Sequence, residues 1–180
     1  MKVISGTLKG RIIEGYHLEG TRPTMDRVKE SLFAMIQEKI KESTCLDLFA
    51  GSGNLGIEAI SEGASKVYFV DASKKASMVI RKNLENFGVK EKAILLSMDF
   101  KRALETVKEE KFDIIFLDPP YQTNYIEKAI FLIEQYGMLK KDGIIVCESD
   151  QRKLIVFSES YQIYKERKYG DKSIVILEKI

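Results

Sequence analysis

Short apolar segments alternate with amphipathic segments of helical period from residue 44 onward, and this order restricts the fold more than any other feature. The apolar segments are residues 45–50, 67–70, 93–98, 112–117 and 143–147. Strands that are apolar on both faces and separated by helices belong to a parallel sheet covered on both sides. The sequence therefore predicts an α/β fold with a doubly wound, mostly parallel sheet.

The two ends of the chain depart from this alternation. Residues 161–169 and 173–178 are strand-like and leave no room for a helix between them, which predicts an antiparallel C-terminal hairpin and seven strands in all. Residues 1–22 look like short strands with glycine turns, and residues 24–41 have helical spacing with Thr24 as the cap. We expect residues 1–43 to form an N-terminal extension, a β-hairpin with a helix, on a domain of residues 44–180.

Composition excludes several functional classes. His17 is the single histidine, which rules out a multi-histidine zinc site, and Cys45 and Cys147 lack CxxC spacing. We therefore expect no metal, and two buried, unreactive thiols. No apolar run approaches the length of a membrane span, and the first residues turn polar too soon for a signal peptide. We expect a cytoplasmic monomer with no membrane partner.

Three glycines with GxGxxG spacing, Gly51, Gly53 and Gly56, lie between the first predicted strand and its helix. Glycines let the backbone approach a ligand closely, and a helix start offers free N–H groups. Asp71 ends the second predicted strand twenty positions after Gly51, where a carboxylate can accept hydrogen bonds from ribose hydroxyls. The pattern predicts an adenosine cofactor, and it fits NAD as well as S-adenosylmethionine.

Two further aspartates favour S-adenosylmethionine. Asp47 lies within the first predicted strand, where a charge needs a partner, and the ammonium of a methionine moiety would supply one. Asp99 follows the third predicted strand and can accept a hydrogen bond from an adenine amine, with Phe100 or Met98 against the ring. Asp99 could also be the N-cap of the next helix.

The run Asp118-Pro119-Pro120-Tyr121 directly follows the fourth predicted strand. The prolines fix the backbone and remove two N–H donors, so the Asp118 carboxylate and the Pro119 carbonyl form a pair of acceptors. An exocyclic amine has two N–H donors, so this pair can aim its nitrogen at an electrophilic methyl group while Tyr121 stacks on the base. The alternative interpretation of this run is a rigid β-turn in which the aromatic residue is incidental. The run predicts an amino-methyltransferase.

The chain resembles class I S-adenosylmethionine-dependent methyltransferases, which have a Rossmann-like sheet, over residues 44–180. Within them it is similar to the bacterial 16S rRNA (guanine-N2)-methyltransferase family. The closer likeness lies in Ser5-Gly6-Thr7-Leu8-Lys9-Gly10-Arg11 and in residues 21–33, TRPTMDRVKESLF, which are similar to that family's RPTxDRVRExLF. Met25 and Ser31 stand where threonine is expected, and Lys29 where arginine is expected.

The resemblance implies methyl transfer from S-adenosylmethionine to N2 of a guanine in 16S rRNA, within a small ribosomal subunit or an assembly intermediate. It implies catalysis by Asp118, Pro119, Pro120 and Tyr121. It implies cofactor contacts at Asp47, Phe49, Gly51, Ser52, Gly53, Gly56, Asp71, Ala72, Asp99 and Phe100. It implies RNA contacts at Lys9, Arg11, Arg22, Thr24 and Arg27, which could instead be helix caps and solvated charges. Residues 1–41 carry eight Lys and Arg against five Asp and Glu.

Three other functions are compatible with parts of this pattern. A DNA amino-methyltransferase acting on N6 of adenine or N4 of cytosine can share the Asp-Pro-Pro-Tyr run, although about forty leading residues leave little room for a target-recognition region. A dehydrogenase using NAD would account for the glycine loop alone. A ribosome assembly factor that binds RNA without catalysis would account for the N-terminal charge.

Overall fold

A single seven-stranded sheet organises the computed structural model, which describes residues 1–15, 23–120, 123–150 and 155–180. The strands are Thr44–Asp47 (β1), Lys66–Val70 (β2), Ala93–Leu96 (β3), Phe112–Leu117 (β4), Leu139–Asp150 (β5), Tyr161–Tyr169 (β6) and Lys172–Lys179 (β7). Their order is β3-β2-β1-β4-β5-β7-β6. Strands β1 to β5 pair in parallel, and β7 pairs antiparallel with both β5 and β6. The predicted doubly wound sheet with a C-terminal hairpin is confirmed.

Helices cover both faces of the sheet. They are Pro23–Ile40 (α1), Asn54–Ser61 (α2), Lys74–Phe87 (α3), Phe100–Thr106 (α4) and Tyr125–Gln135 (α5), with a short 3-10 turn at Lys90–Lys92. Alternate strand residues enter two separate cores. One core joins the sheet to α1, α2, α3 and the N-terminal segment, and the other joins it to α4 and α5. Among the described residues, no helix has both the length and the apolar character needed to cross a bilayer.

The N-terminal segment forms less β-structure than its sequence predicts. Within residues 1–15 the β pairing is a minimal antiparallel bridge between Lys2 and Ile12, in which the Val3 amide donates to the Arg11 carbonyl and the Ile13 amide to the Met1 carbonyl, both at 2.9 Å. The segment is also held by α2, because the Glu58 carboxylate accepts hydrogen bonds from the Ile4 and Ser5 amides at 2.8 and 3.2 Å. Residues 16–22, including His17, lie outside the described residues.

Two predicted boundaries also change. Helix α1 begins at Pro23, so the prediction that Thr24 caps it is wrong; proline suits the first helical position because it has no N–H to satisfy. Strand β5 spans twelve residues rather than 143–147, because β7 continues to pair with it as far as Asp150 opposite Lys172. This longer β5 extends the sheet beside the end of β4.

Candidate active site

The carboxyl ends of four parallel strands bring the four predicted aspartates to one edge of the sheet. Asp47 is the last residue of β1, and Asp71 and Asp118 directly follow β2 and β4. Asp99 lies three residues after β3. Ligands of open parallel sheets bind at this edge, which we call the carboxyl edge.

Asp71 orders the glycine loop. One of its carboxylate oxygens accepts a hydrogen bond from the Gly51 amide at 2.9 Å, and the other accepts one from the Ser73 amide at 2.8 Å. Gly51 and Gly53 have φ of 58° and 87°, a region that side chains other than glycine adopt with strain. Each oxygen of Asp71 has further acceptor capacity, so this carboxylate fits the two hydroxyls of a ribose.

The other predicted residues of this loop differ in their contacts. Ser52 is buried, and its carbonyl accepts the Asn83 side-chain amide at 3.0 Å. Gly56 packs against the sheet so closely that an added Cβ would lie 2.3 Å from the ring of Phe69. Ala72 is exposed. Gly56 thus lets α2 approach the sheet, while Ala72 faces the space outside the carboxyl edge.

Asp47 is a buried carboxyl group with an unusual proton affinity. It is 1% exposed, and its Oδ2 accepts the amide of Gly56 at 3.0 Å. Burial raises the pKa of Asp47 to about 7, the hydrogen bond from Gly56 opposes that rise, and the charge of Asp71 adds to it. Among the described residues, none forms an ion pair with Asp47. A ligand ammonium would fit this carboxylate, because it would compensate the buried charge.

Asp99 caps α4, as one of the two sequence interpretations predicts. Its Oδ1 accepts the amides of Lys101 and Arg102 at 3.0 and 3.1 Å. Both bonds fall on one oxygen, and the residue is exposed at the carboxyl edge. The cap therefore leaves Oδ2 able to accept a hydrogen bond from a ligand amine.

Three aromatic rings gather beside Asp99. The ring of Phe100 lies 5.2 Å from Phe49 and 4.9 Å from Tyr125, and the rings of Phe49 and Tyr125 are nearly parallel at 6.1 Å. Phe49 and Phe100 are predicted site residues, whereas Tyr125 is not among the residues that the sequence predicts for the site. An aromatic residue opening the helix after Pro120 would have pointed to this edge. The cluster offers an apolar surface for a planar ring.

Asp118 lies where charged groups from three strands meet. Loss of hydration raises its pKa well above the usual range, the carboxylates of Glu148 and Asp47 raise it further, and the ammonium of Lys172 lowers it. Pro119 is buried and Pro120 is exposed. The Pro120 carbonyl accepts the Thr123 hydroxyl at 2.9 Å, which fixes the turn after the strand. Tyr121 lies outside the described residues.

Glu148 and Lys172 are two further residues of this site, and neither is among the residues that the sequence predicts for it. Leu117 pairs with Cys147, so Asp118 and Glu148 follow in register on neighbouring parallel strands. Lys172 of β7 forms an ion pair with Glu148 at 2.9 Å. Glu148 directly follows the predicted fifth strand, and this acidic residue at a strand end could have been predicted for the site. The place of Lys172 in the site depends on the pairing of β5 with β7, which the sequence does not specify.

Helix α1 begins at the carboxyl edge. Near its end the Lys39 ammonium donates to the carbonyl of Asp142, early in β5, and in its middle Phe33 stacks on Phe116, late in β4. Its first turns therefore lie toward Asp118. Arg27 is exposed on these turns. Arg22 and the side chain of Thr24 lie outside the described residues.

Lys9 and Arg11 occupy a different part of the molecule. Both are exposed. The Arg11 guanidinium donates to the carbonyl of Asn86 at 2.8 Å and lies 4.7 Å from the centre of the Phe87 ring, at the end of α3. Because α3 leads from the end of β2 to the start of β3, its last residues lie toward the opposite edge. The structure does not bring Lys9 and Arg11 together with Asp118.

The cysteines do not contribute to this edge. Cys45 and Cys147 are buried free thiols, as predicted; burial raises the pKa of Cys45 to about 12 and raises that of Cys147 above its usual value. Within the described ranges, no cluster of three or more His, Cys, Asp or Glu side chains could hold a metal ion. A cavity of about 350 Å³ beside Ile133, Tyr161 and Lys179 contains none of the four aspartates.

Comparison with known proteins extends over nearly the whole chain. A family model described as conserved hypothetical protein 95 matches residues 1–178. YlbH of Bacillus subtilis is 44% identical over 153 residues, which cover 84% of this chain and 83% of YlbH. Ribosomal RNA small subunit methyltransferase D of Haemophilus influenzae is 37% identical over 174 residues, which cover 94% and 89%. The solved structure of Escherichia coli yhhF has a TM-score of 0.89 at 27% identity, covering 99% and 97%.

Proposed function

Because the chain belongs to the family described as conserved hypothetical protein 95, with relatives named ribosomal RNA small subunit methyltransferase D, we propose that it is an S-adenosylmethionine-dependent rRNA methyltransferase. We further assign its target as the exocyclic N2 of a guanine in 16S rRNA, in a small ribosomal subunit or an assembly intermediate. The observation that carries this proposal is the meeting of the buried Asp47 and the acceptor Asp118 at one edge.

The cofactor would lie along the ends of β1, β2 and β3. Asp71 would accept hydrogen bonds from the ribose hydroxyls, and Asp99 would accept one from the adenine amine. Asp47 would form an ion pair with the ammonium of the methionine moiety. The rings of Phe49 and Phe100 would hold the adenine in an apolar environment. S-adenosylmethionine supplies an electrophilic methyl group on a sulfonium. The glycine loop and α2 supply the close backbone approach that such a ligand requires.

The acceptor amine would be held by Asp118 and by the carbonyl of Pro119. A guanine amine is conjugated and weakly nucleophilic, so two acceptors that fix its orientation contribute more than full deprotonation would. The raised pKa of Asp118 suits a group that takes up the proton once the new bond has formed. Tyr121 is proposed to stack on the base.

The RNA would approach across the first turns of α1. Arg27 is exposed there, and the positive end of the helix dipole at Pro23 also favours phosphate. Arg22 and Thr24 are proposed contacts on the same stretch of sequence. A target base must leave its stack before the chemistry can occur, and phosphate contacts on both sides would hold it in that state. Lys9 and Arg11 would contact RNA farther from the target base.

The test is transfer of a labelled methyl group to four substrates: small ribosomal subunits, free 16S rRNA, a ribosome assembly intermediate and duplex DNA. We expect label in ribosomal RNA only, at a single guanine that maps as N2-methylguanine. Asp118→Ala should abolish the transfer and leave cofactor affinity nearly unchanged. Label in duplex DNA would indicate a DNA amino-methyltransferase.

Binding measurements separate the remaining alternatives. Equilibrium binding of NAD, with no binding of S-adenosylmethionine, would indicate a dehydrogenase. Subunit binding that does not depend on cofactor and gives no methyl incorporation would indicate an assembly factor. Either result would overturn the proposed function.

A further inference from the structure

Three charged side chains from neighbouring strands form a row beside the candidate acceptor site. Asp118 follows β4, Glu148 is near the end of β5, and Lys172 begins β7. The strand residues two positions away from these charged residues enter the core beneath α1: Phe116 and Val146 precede Asp118 and Glu148, and Ile174 follows Lys172. Side chains alternate between the faces of a strand, so the three charged groups continue this same face.

The central member of the row is well buried and closely paired. Glu148 is 9% exposed, and its Oε1 accepts the Lys172 ammonium at 2.9 Å. In the antiparallel register Glu148 lies opposite Ile174, two positions from Lys172, so the ion pair is diagonal across β5 and β7. A carboxylate at this depth requires such a partner, and the ammonium extends the row away from Asp118.

We propose that Glu148 and Lys172 are positioning residues that govern how readily Asp118 takes up the proton released by the acceptor amine. This inference rests on the proposed function. In the step concerned, the amine nitrogen bonds to the methyl carbon while the methyl–sulfur bond breaks and its electron pair stays on sulfur. The N–H bond then breaks, its electron pair stays on nitrogen, and the proton moves to the Asp118 carboxylate.

The two members of the pair act on Asp118 in opposite directions. The charge of Glu148, from β5, raises the pKa of Asp118, as does the charge of Asp47 from β1, and the charge of Lys172 from β7 lowers it. Asp150 of β5 lies opposite Lys172 in the register, and Arg167 of β6, opposite Ile174, donates from its guanidinium to the Ser31 hydroxyl of α1 at 3.0 Å. Removing Glu148 or Lys172 should therefore move the titration of Asp118 in opposite directions.

The first measurement is the pH dependence of single-turnover methyl transfer in two variants, Glu148→Gln and Lys172→Met. Activity requires ionised Asp118, so Glu148→Gln should move the acid limb of the profile to lower pH and Lys172→Met should move it to higher pH. A displacement of one pKa unit changes the rate on that limb about tenfold. The double variant should fall between the two.

An ion pair between β4 and β5 provides a matched control. Lys140 of β5 forms an ion pair with Asp113 of β4 at 3.0 Å, at the end of the sheet away from Asp118. Lys140→Met removes an ion pair of similar length, in a more exposed position, and should leave the acid limb at the same pH as in the unchanged protein. Equal displacement by Lys140→Met and Lys172→Met would show a general effect of net charge and would overturn the inference.

The second measurement does not depend on activity. Carbon-13 NMR of the carboxyl groups in the full chain, with the Asp118 resonance identified by its loss in Asp118→Asn, follows the titration directly. Opposite displacements in Glu148→Gln and Lys172→Met support the pair's role. Unchanged titration, or displacement in one common direction, overturns it. If the displacements occur but no substrate accepts methyl, the proposed function fails while the electrostatic control of Asp118 stands.

Discussion

Asp47→Asn should make the free protein more stable at neutral and alkaline pH and less stable in acid. The folded protein raises the pKa of Asp47 from 3.8 to about 7, so it holds a proton that the unfolded chain has already released. Below pH 3.8 Asp47 is protonated in both states and carries no penalty. The penalty for ionising it in the folded protein grows as the pH rises from 3.8 to about 7, and it is complete above about pH 7. A rise of roughly 3 pKa units corresponds to about 4 kcal/mol of lost stability.

Asparagine removes the charge but retains an acceptor for the Gly56 amide. It also brings a buried N–H group that needs a partner, which costs about 1–3 kcal/mol. The net expectation is a variant about 1–3 kcal/mol more stable than the unchanged protein above pH 7, and less stable by a similar amount below pH 4. The two stability curves should therefore cross within the window.

Urea unfolding followed by circular dichroism, repeated across this pH range, measures the difference directly. Asp142→Asn is a control, because Asp142 is exposed and its replacement should change the free energy of unfolding little at any pH. A difference between Asp47→Asn and the unchanged protein that does not vary with pH would refute the reasoning. Calorimetry adds a functional readout: S-adenosylmethionine should bind more weakly to Asp47→Asn, and proton release on binding near neutral pH should disappear.

Three further changes test other parts of the structure. Lys29→Met should lower the free energy of unfolding by about 3–5 kcal/mol, because it leaves the buried Glu58 carboxylate without its ammonium at 3.0 Å; a loss below 1 kcal/mol in urea unfolding would contradict this. Gly6→Ala should destabilise more than Gly10→Ala by about 1–3 kcal/mol, since both have positive φ but only the first Cβ would meet an atom, at 1.9 Å. Tyr125→Leu should weaken S-adenosylmethionine binding about fivefold by calorimetry, and unchanged affinity would place the cofactor away from this ring.

The parts of the site that consist of consecutive residues could be predicted from the sequence. The glycine loop and the Asp118-Pro119-Pro120 turn are local, and the strands adjoining them are apolar on both faces, so their position at the carboxyl edge follows from the order of elements. Glu148 and Lys172 could not be paired in this way. Their contact depends on the antiparallel register of β5 and β7, and the alternation of apolar residues predicts the hairpin without fixing how far β5 extends.

The N-terminal segment shows why a family likeness and a physical role need separate arguments. Lys29 lies within the run that resembles rRNA methyltransferases, and charge alone would place it among RNA contacts. It is instead 2% exposed, and its ammonium reaches the carbonyl of Lys2 at 2.6 Å, the Asn54 side chain at 2.8 Å and Glu58 at 3.0 Å. Lys29 therefore joins the first residues and α1 to the start of α2, directly after the glycine loop. Arg27, two residues earlier, is exposed, so of the two basic side chains that the structure describes in this run it is the one that faces solvent.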